Sequence, residues 1–530
     1  MKSIHCSSLQ FIWILVLGFF PSINVAQNIM WQKNLGGTNE DGNFAVQITL
    51  DGGYILTGFT SSNDGDVSGN HGGSDIWVAK LNAFQAIEWQ KCLGGSNFEI
   101  AFSIQPTPDS GYILTGQVNS NDGDVSGNHG GGDVWVVKLN AIGEIEWQKC
   151  LGGSAYDAAK KIQNTPDGGY ILVGITGSND GDVIGNHGGT DVWVVKLSEI
   201  GNLEWQKCLG GSGAEDAYSI APTSDGRYIL IGKTASYDGD LTNNPPHSFN
   251  TTDVWVVKLD AQGAINWQSC IGGDDDEIGC AIEPTSDGGY ILAGQTKSNN
   301  GDVSGYNGAG DIWLVKLTSL GVLDWQKCIG GANSTDIAKD IHQTLEGGYI
   351  LTGWGGDEGN IINGFEAIVV KLSQTGAIEW QKYLGGIDDE TSYSIKVTSD
   401  GGYVVGVTAV SKDGIPNVSV GYGGASEISL IKLDNNGLDI SHNTVVKNVS
   451  VFPNPILEDK FCFSYYVAKP TTIEIVVSDV LGNTLLSETE KFASKGEYTK
   501  TLTCANFPKG IYFLEVKTQN EVISTKILKL

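Results

Sequence analysis

Arginine occurs once in the 530 residues, at Arg227, and methionine only twice. Cations are scarce altogether: 32 Lys plus Arg stand against 61 Asp plus Glu, for a formal net charge of −29. A chain this acidic lacks the clustered cations that phosphate contacts need, which excludes nucleic acid as a partner and disfavours acidic lipid head groups. Residues 1–26 and 447–530 each sum to +1, so residues 27–446 carry −31. Long apolar runs are missing as well. Beyond a short one near the N-terminus no segment has 18 consecutive apolar residues, so the mature chain has no helical membrane span. No nucleophile elbow, zinc signature or phosphate loop occurs. What is plentiful is glycine, at 73 residues, and tryptophan, at 14, in a chain that is 40% hydrophobic. That composition builds a large core and rules out a disordered acidic tail protein.

The N-terminal run Phe11-Ile-Trp-Ile-Leu-Val-Leu-Gly-Phe-Phe20 follows Lys2 and precedes Pro21 and small or polar residues up to Ala26. This is the pattern of a secretory signal peptide spanning 1–26, with cleavage expected between Ala26 and Gln27. No Cys follows the run in a lipobox arrangement, so Cys6 leaves with the peptide.

Internal repetition dominates the rest. Trp31, Trp89, Trp147, Trp205, Trp267, Trp325 and Trp380 each open a Trp-Gln-Lys or Trp-Gln-Ser triplet, at spacings of 55 to 62 residues. In the second unit, strands are expected at 100–107, 112–117, 133–139 and 144–150, joined by Pro108-Asp-Ser-Gly111, a polar loop and Asn140-Ala-Ile-Gly143. Along the third strand Trp135, Val137 and Leu139 face one side while Val134 and Val136 face the other, so both faces of the sheet must be covered. A four-stranded sheet cannot do this alone, whereas seven arranged radially cover one another. The fold class expected for 27–440 is therefore an all-β, seven-bladed β-propeller with four-stranded antiparallel blades. The chain opens on a fourth-strand sequence around Trp31, and the seventh unit supplies three strands (392–397, 402–407, 427–433). Its fourth has decayed to Gly437-Leu-Asp-Ile-Ser441, so the N-terminal strand is expected to close the last blade. The Lys-Leu-Asp-x-x-Gly-x-x-x-Trp hairpin, as at Lys258 to Trp267, resembles the repeat of quinoprotein-type propellers; that likeness concerns fold, not function.

The last 85 or so residues differ in texture, with fewer Gly, more Lys and short alternating strands such as Thr472-Ile-Glu-Ile-Val-Val-Ser478. A small immunoglobulin-like β-sandwich is expected at 451–530, after a linker at 441–450. Val451-Phe-Pro-Asn-Pro455, Asp479-Val-Leu-Gly482, Gly496-Glu-Tyr498, Pro508-Lys-Gly-Ile-Tyr-Phe-Leu-Glu-Val516 and Lys526-Ile-Leu-Lys-Leu530 resemble the type A C-terminal sorting domain of the type IX secretion system; Ser478 stands where many members have Tyr. The resemblance implies a Bacteroidota protein that engages that machinery and ends secreted or associated with the outer-membrane surface.

The most distinctive polar feature is the loop between second and third strands, Ser-Asn-Asp-Gly-Asp-Val-x-Gly-Asn-His-Gly-Gly-x-Asp in three units. It places Asp64, Asp66 and Asp75, then Asp122, Asp124 and Asp133, then Asp180, Asp182 and Asp191; later units keep Asp238, Asp240 and Asp253, and Asp302 and Asp311. These loops and the blade connections should crowd one face of the disc. Carboxylates in a Gly-rich loop suit calcium, though not at EF-hand spacing, and calcium is the one cofactor these residues suggest. The competing reading is turn chemistry, with Asp and Asn side chains satisfying loop backbone. His71, His129 and His187 occupy equivalent loop positions on different units, which favours hydrogen bonding over metal ligation. Cys92, Cys150, Cys208, Cys270 and Cys328 recur three residues after the Trp. Sheets stacked roughly 10 Å apart put such sites beyond the approximately 7 Å disulfide limit, so buried thiols are expected. Cys270 with Cys280, and Cys462 with Cys504, remain the conceivable pairs.

Near-identical loops favour a secreted or cell-surface binding module for a glycan or protein ligand, since repetition offers multivalent contact. The alternatives are a polysaccharide- or peptide-degrading hydrolase or lyase, built on asymmetric features such as His247 and Glu358, and a structural surface protein.

Overall fold

The computed structural model describes residues 29–242, 246–356, 364–385, 388–410, 426–435, 446–452, 456, 459–467, 471–479, 483–492, 496–517 and 522–529. The signal-peptide residues with Ala26 and Gln27, Glu358, and the segment 437–441 lie outside them. The chain divides into two compact units, one up to Gly437 and one from Leu438.

The first unit is seven four-stranded antiparallel sheets. Blade 1 comprises Asp41–Ile48, Tyr54–Thr60, Asp75–Leu81 and Ile87–Leu93, and blade 2 Glu99–Pro106, Tyr112–Val118, Asp133–Leu139 and Ile145–Leu151. Four further blades repeat this order. Blade 7 takes Glu390–Val397, Tyr403–Ala409 and Glu427–Leu433 from the C-terminal end of the unit, and its fourth strand is Ile29–Leu35. Trp31 pairs with Lys432 and Leu35 with Ile428. The first strands of successive blades lie side by side, and that of blade 7 lies beside that of blade 1, so the sheets form a closed ring.

Third-strand patterning explains the stacking. Trp135, Val137 and Leu139 pack with Ile55, Ile76 and Val78 of blade 1, while Val134 and Val136 pack with Ala159, Ile162 and Trp193 of blade 3. The outer Trp of each blade meets the second-strand Tyr of the next, as Trp89 does with Tyr112 at 5.7 Å between centroids. Trp31 makes the same contact with Tyr54 at 5.4 Å, so the junction made by the N-terminal strand is built like the other six. Third-strand lysines snorkel beside these rings. Lys138, 3% exposed, bonds Asp109 at 2.7 Å, Glu146 at 2.9 Å and the Leu139 carbonyl. One glycine per second strand is forced by contact: a Cβ on Gly116 would stand 1.8 Å from the Ile100 carbonyl oxygen.

The eight described cysteines are all free thiols, so neither conceivable disulfide forms. Cys92, Cys150, Cys208 and Cys270 are buried as expected, whereas Cys328 is only partly so.

The second unit is a sandwich. One sheet holds Val446–Phe452, Lys460–Val467 and Gly496–Thr503; the other holds Thr484–Phe492, Thr471–Asp479, Gly510–Lys517 and Val522–Lys529. Phe461 and Phe463 of the first pack on Ile475, Leu514 and Val516 of the second. No helix among the described residues is long and apolar enough to cross a membrane.

Candidate functional site

The repeated loop aspartates fall into three structural roles. The first of each set is exposed and caps the linker entering its own blade: Asp64 accepts from the Thr38 backbone at 2.8 Å, Asp122 from Ser96 at 2.8 Å, Asp180 from Ser154 at 2.8 Å and Asp238 from Ser212 at 2.7 Å. These hydrogen bonds hold all four carboxyls below the ordinary aspartate range. The second sits beside the Gly-Gly linker. The Asp66 N–H donates to the Gly36 carbonyl, and Asp124, Asp182, Asp240 and Asp302 accept from Gly94, Gly152, Gly210 and Gly272 at 3.1–3.4 Å. Loops and blade connections thus share one side of the ring.

The third opens the third strand and is buried. Asp75, Asp133 and Asp191 pair with Nδ1 of His71, His129 and His187 at 2.7, 2.6 and 2.6 Å, and Asp253 pairs with His247. At Asp311 the donor is the Asn307 backbone, at 3.0 Å. Burial raises the Asp75, Asp133, Asp191 and Asp253 carboxyls despite these bonds. The His71 ring reaches on toward Asp124 of the next blade (3.9 Å), and His247 toward Asp302 (3.6 Å). His247, the asymmetric catalytic candidate, therefore makes the same blade-to-blade latch as His71. Sequence reasoning missed the facing carboxylates Asp41, Glu99, Asp157, Glu215 and Glu277, which are fully buried four residues after the second Gly of each linker and accept its N–H, as Glu99 does from Gly95 at 2.8 Å. Among the described residues no three His, Cys, Asp or Glu side chains are grouped to hold a metal ion.

The second finding absent from the sequence reading is the axial channel. Every first strand carries a β-bulge at the same place, visible as a register shift such as Ala159/Lys161 in blade 3. The extra residue is turned out of the ladder and toward the ring axis. Those residues are Phe44, Phe102, Lys160, Tyr218, Cys280, Lys339 and Tyr393, and all seven line one cavity of about 170 Å³. The blade cores repeat; this ring does not. Only a column-by-column comparison of the seven repeats at this position would have revealed it.

Around the axis, Phe44 contacts Phe102 at 5.2 Å and Tyr393 at 4.7 Å between centroids. The Lys160 ammonium lies 3.8 Å from the Phe102 centroid, and that of Lys339 lies 5.8 Å from the Tyr393 centroid and 3.9 Å from Cys280 Sγ. Lys161 and Asp340 line the same cavity, and the Asp340 carboxylate favours the Lys161 charge. Below them Glu283 Oε2 meets His342 Nδ1 at 3.1 Å, and His342 Nε2 meets Lys396 Nζ at 2.6 Å. Lys396 also donates to Asp340 at 2.8 Å and to the Ile395 carbonyl at 2.9 Å. Asp340 further accepts from the Ile395 N–H at 3.1 Å. Burial would raise the Asp340 carboxyl, but Lys396 and His342 outweigh it and hold it well below the carboxylate range. Burial and Lys396 oppose charge on His342, and the Asp340 and Glu283 carboxylates prevail, so its pKa rises.

The two levels of the channel differ in chemistry. In the lower network both His342 nitrogens and the Lys396 ammonium are engaged, which suits a fixed plug better than a general base. In the upper level neither the Lys160 nor the Lys161 side chain forms an ion pair or hydrogen bond among the described residues, and burial pushes both ammonium pKa values down.

Residues 450–529 match the family model described as a secretion system C-terminal sorting domain. The chain thus carries the export signal of the type IX secretion system, which marks it for secretion or association with the outer surface. Among curated proteins it is 25% identical over 320 residues to regulatory protein FlaEY of Caulobacter vibrioides, a match covering 54% of this chain and 33% of that one. Among solved structures it is similar to PorZ, an essential bacterial surface component of the type-IX secretion system of Porphyromonas gingivalis (11% identity, TM-score 0.38, covering 94% of this chain and 60% of that one). It is also similar to puromycin hydrolase (11% identity, TM-score 0.42, 81% and 59%). The chain spans a third of that curated relative and about three fifths of these two structures.

Proposed function

We propose that this exported propeller is a non-catalytic binding protein for an extracellular glycan or protein, and that the ligand enters the axial channel. The observation that carries this reading is the contrast within the channel: Glu283, His342, Lys396 and Asp340 bond one another, while the side chains of Lys160, beside the Phe102 ring, and of Lys161 form no ion pair or hydrogen bond among the described residues. The loop aspartates are occupied with linker backbone and histidine, which supports giving the loops a scaffolding role.

A glycan and protein array probed with the mature protein, Tyr393→Ala and Asp122→Asn, with and without calcium, tests the reading. Ligand capture should be lost with Tyr393→Ala and kept with Asp122→Asn. The opposite pattern moves the site to the loop face, and a calcium requirement revives the metal reading of the aspartates. Turnover of polysaccharide or peptide by the pure protein would install the hydrolase or lyase reading in its place, and an array silent to all ligands would leave a structural surface protein.

A further inference from the structure

We infer that the channel ligand is a single carboxylate-bearing sugar residue, a uronic-acid end group, with its carboxylate between Lys160 and Lys161 and its ring against Phe44 and Phe102. This rests on the channel reading above and adds the chemistry of the ligand.

The lysines supply the first argument. Elsewhere in the ring, buried lysines are paired: Lys80 with Asp51 and Glu88, Lys138 with Asp109 and Glu146, Lys196 with Asp167 and Glu204, Lys258 with Asp225, Lys316 with Asp287, Lys432 with Asp400. In a chain with nearly twice as many acids as bases, this cavity gathers Lys160, Lys161 and Lys339 around a single lining carboxylate, Asp340, a local positive centre inside an acidic shell. Asp216 is the carboxylate that acts on Lys160 through charge, yet the two form no ion pair and Asp216 Oδ1 has no hydrogen-bond partner among the described residues.

Size and surrounding charge narrow the class. A cavity of about 170 Å³ is smaller than the roughly 300–1,000 Å³ of sites for drug-sized ligands, so it admits one ring rather than a chain. The field of a body near −31 repels polyanions at the channel mouth, which favours a ligand with one negative charge over a highly charged polymer or a doubly charged ion. The Tyr393–Phe44–Phe102 wall adds an apolar face that a bare inorganic anion would not use, whereas the C–H face of a pyranose covers it. Ammonium groups, as point charges, suit a carboxylate approached from several sides.

Calorimetric titration of the mature protein with glucuronic acid, glucose, acetate and inorganic phosphate tests this, with Lys160→Met, Lys161→Met and Lys160→Arg as variants. Glucuronic acid should bind at least tenfold more tightly than each other probe. Each Met variant should lose about tenfold, equivalent to about 1.4 kcal/mol, and Lys160→Arg should keep most of the affinity. If a Met variant does not fold, the wild-type protein still decides: glucuronic acid affinity should fall between 20 and 200 mM salt while glucose affinity should not. Glucose binding as tightly as glucuronic acid overturns the anion inference and leaves the channel reading intact, and phosphate binding equally well overturns the sugar. Silence to all four probes, with array capture still lost in Tyr393→Ala, overturns the uronic-acid inference alone; if Tyr393→Ala also leaves capture unchanged, the channel reading falls with it.

Discussion

Removing the amide of Gln148 should weaken the propeller by about 1.5–4 kcal/mol, and the cost can be divided between the indole bond and the loop bonds. Trp135 is fully buried between blades 1 and 2, and its indole N–H donates to Gln148 Oε1 at 2.8 Å. The amide nitrogen of Gln148 then donates to the Ser126 carbonyl at 3.2 Å and hydroxyl at 2.5 Å in the acidic loop. Blades 1, 3, 4 and 5 repeat the indole bond, through Trp77, Trp193, Trp255 and Trp313. Gln148→Met leaves a buried N–H without an acceptor, which costs about 1–3 kcal/mol, and loses an exposed loop bond worth about 0.5–1 kcal/mol. Gln148→Glu keeps the acceptor for the indole and loses only the loop donor, so it should cost no more than about 1 kcal/mol. In a Trp135→Phe background the orphaned N–H is gone, and Gln148→Met should become cheaper by about 1–2 kcal/mol. Urea unfolding followed by far-ultraviolet circular dichroism on the wild type and the four variants measures each term. Equal costs for Gln148→Met and Gln148→Glu, or no coupling to Trp135→Phe, would refute the reasoning.

Other perturbations test the remaining packing. Burial opposes ionisation of Asp109, but Lys138, the Thr107 hydroxyl and the Gly111 N–H outweigh it and bring its pKa to about 2. A depressed carboxyl contributes stability that is complete above its unfolded pKa near 3.8 and is lost as pH falls toward 2. With the Asp109 side chain 56% exposed, screening leaves about 0.5–1 kcal/mol. In Lys138→Met, carbon-detected NMR titration should find the Asp109 pKa raised toward the ordinary range, with most of that share of the acid transition gone. Gly116→Ala drives a Cβ into the Ile100 carbonyl and should cost about 3 kcal/mol, seen as a lower melting temperature, while Gly168→Ala, whose Cβ meets open space at φ +86°, should cost about 1–2 kcal/mol. Burial pushes the Cys150 thiol up to about 12, so iodoacetamide at pH 8 should leave it unmodified in the folded protein and label it promptly in guanidinium.

The blades were legible because their pattern is both periodic and two-faced. The third strand expected at 133–139 is Asp133–Leu139, and the two sets of residues read from it do face opposite neighbours. The seventh blade drifts further: its first strand begins at Glu390 rather than 392. The channel was not legible, for a physical reason. A bulge breaks the strict alternation from which strand faces are read, and it does so at the residue that matters. Lys160 and Lys339 are 179 residues apart in sequence, and nothing local marks either as axial. Repetition also drew attention to the wrong polar groups. Asp122 recurs because every linker needs a cap, whereas a ligand site at the centre of a ring is shared by all blades and needs no repetition.

Strand Ile29–Leu35 has one further consequence, for the order of assembly. It stands at the start of the ring and pairs with Glu427–Leu433, about 400 residues later. When a chain is delivered from its N-terminus, six blades can each form from local sequence while this strand waits with no partner and the first face of blade 1 stays open. Closure of the ring is then the slowest, highest-contact-order event of folding, and the exposed strand edge is its aggregation hazard until the last blade arrives.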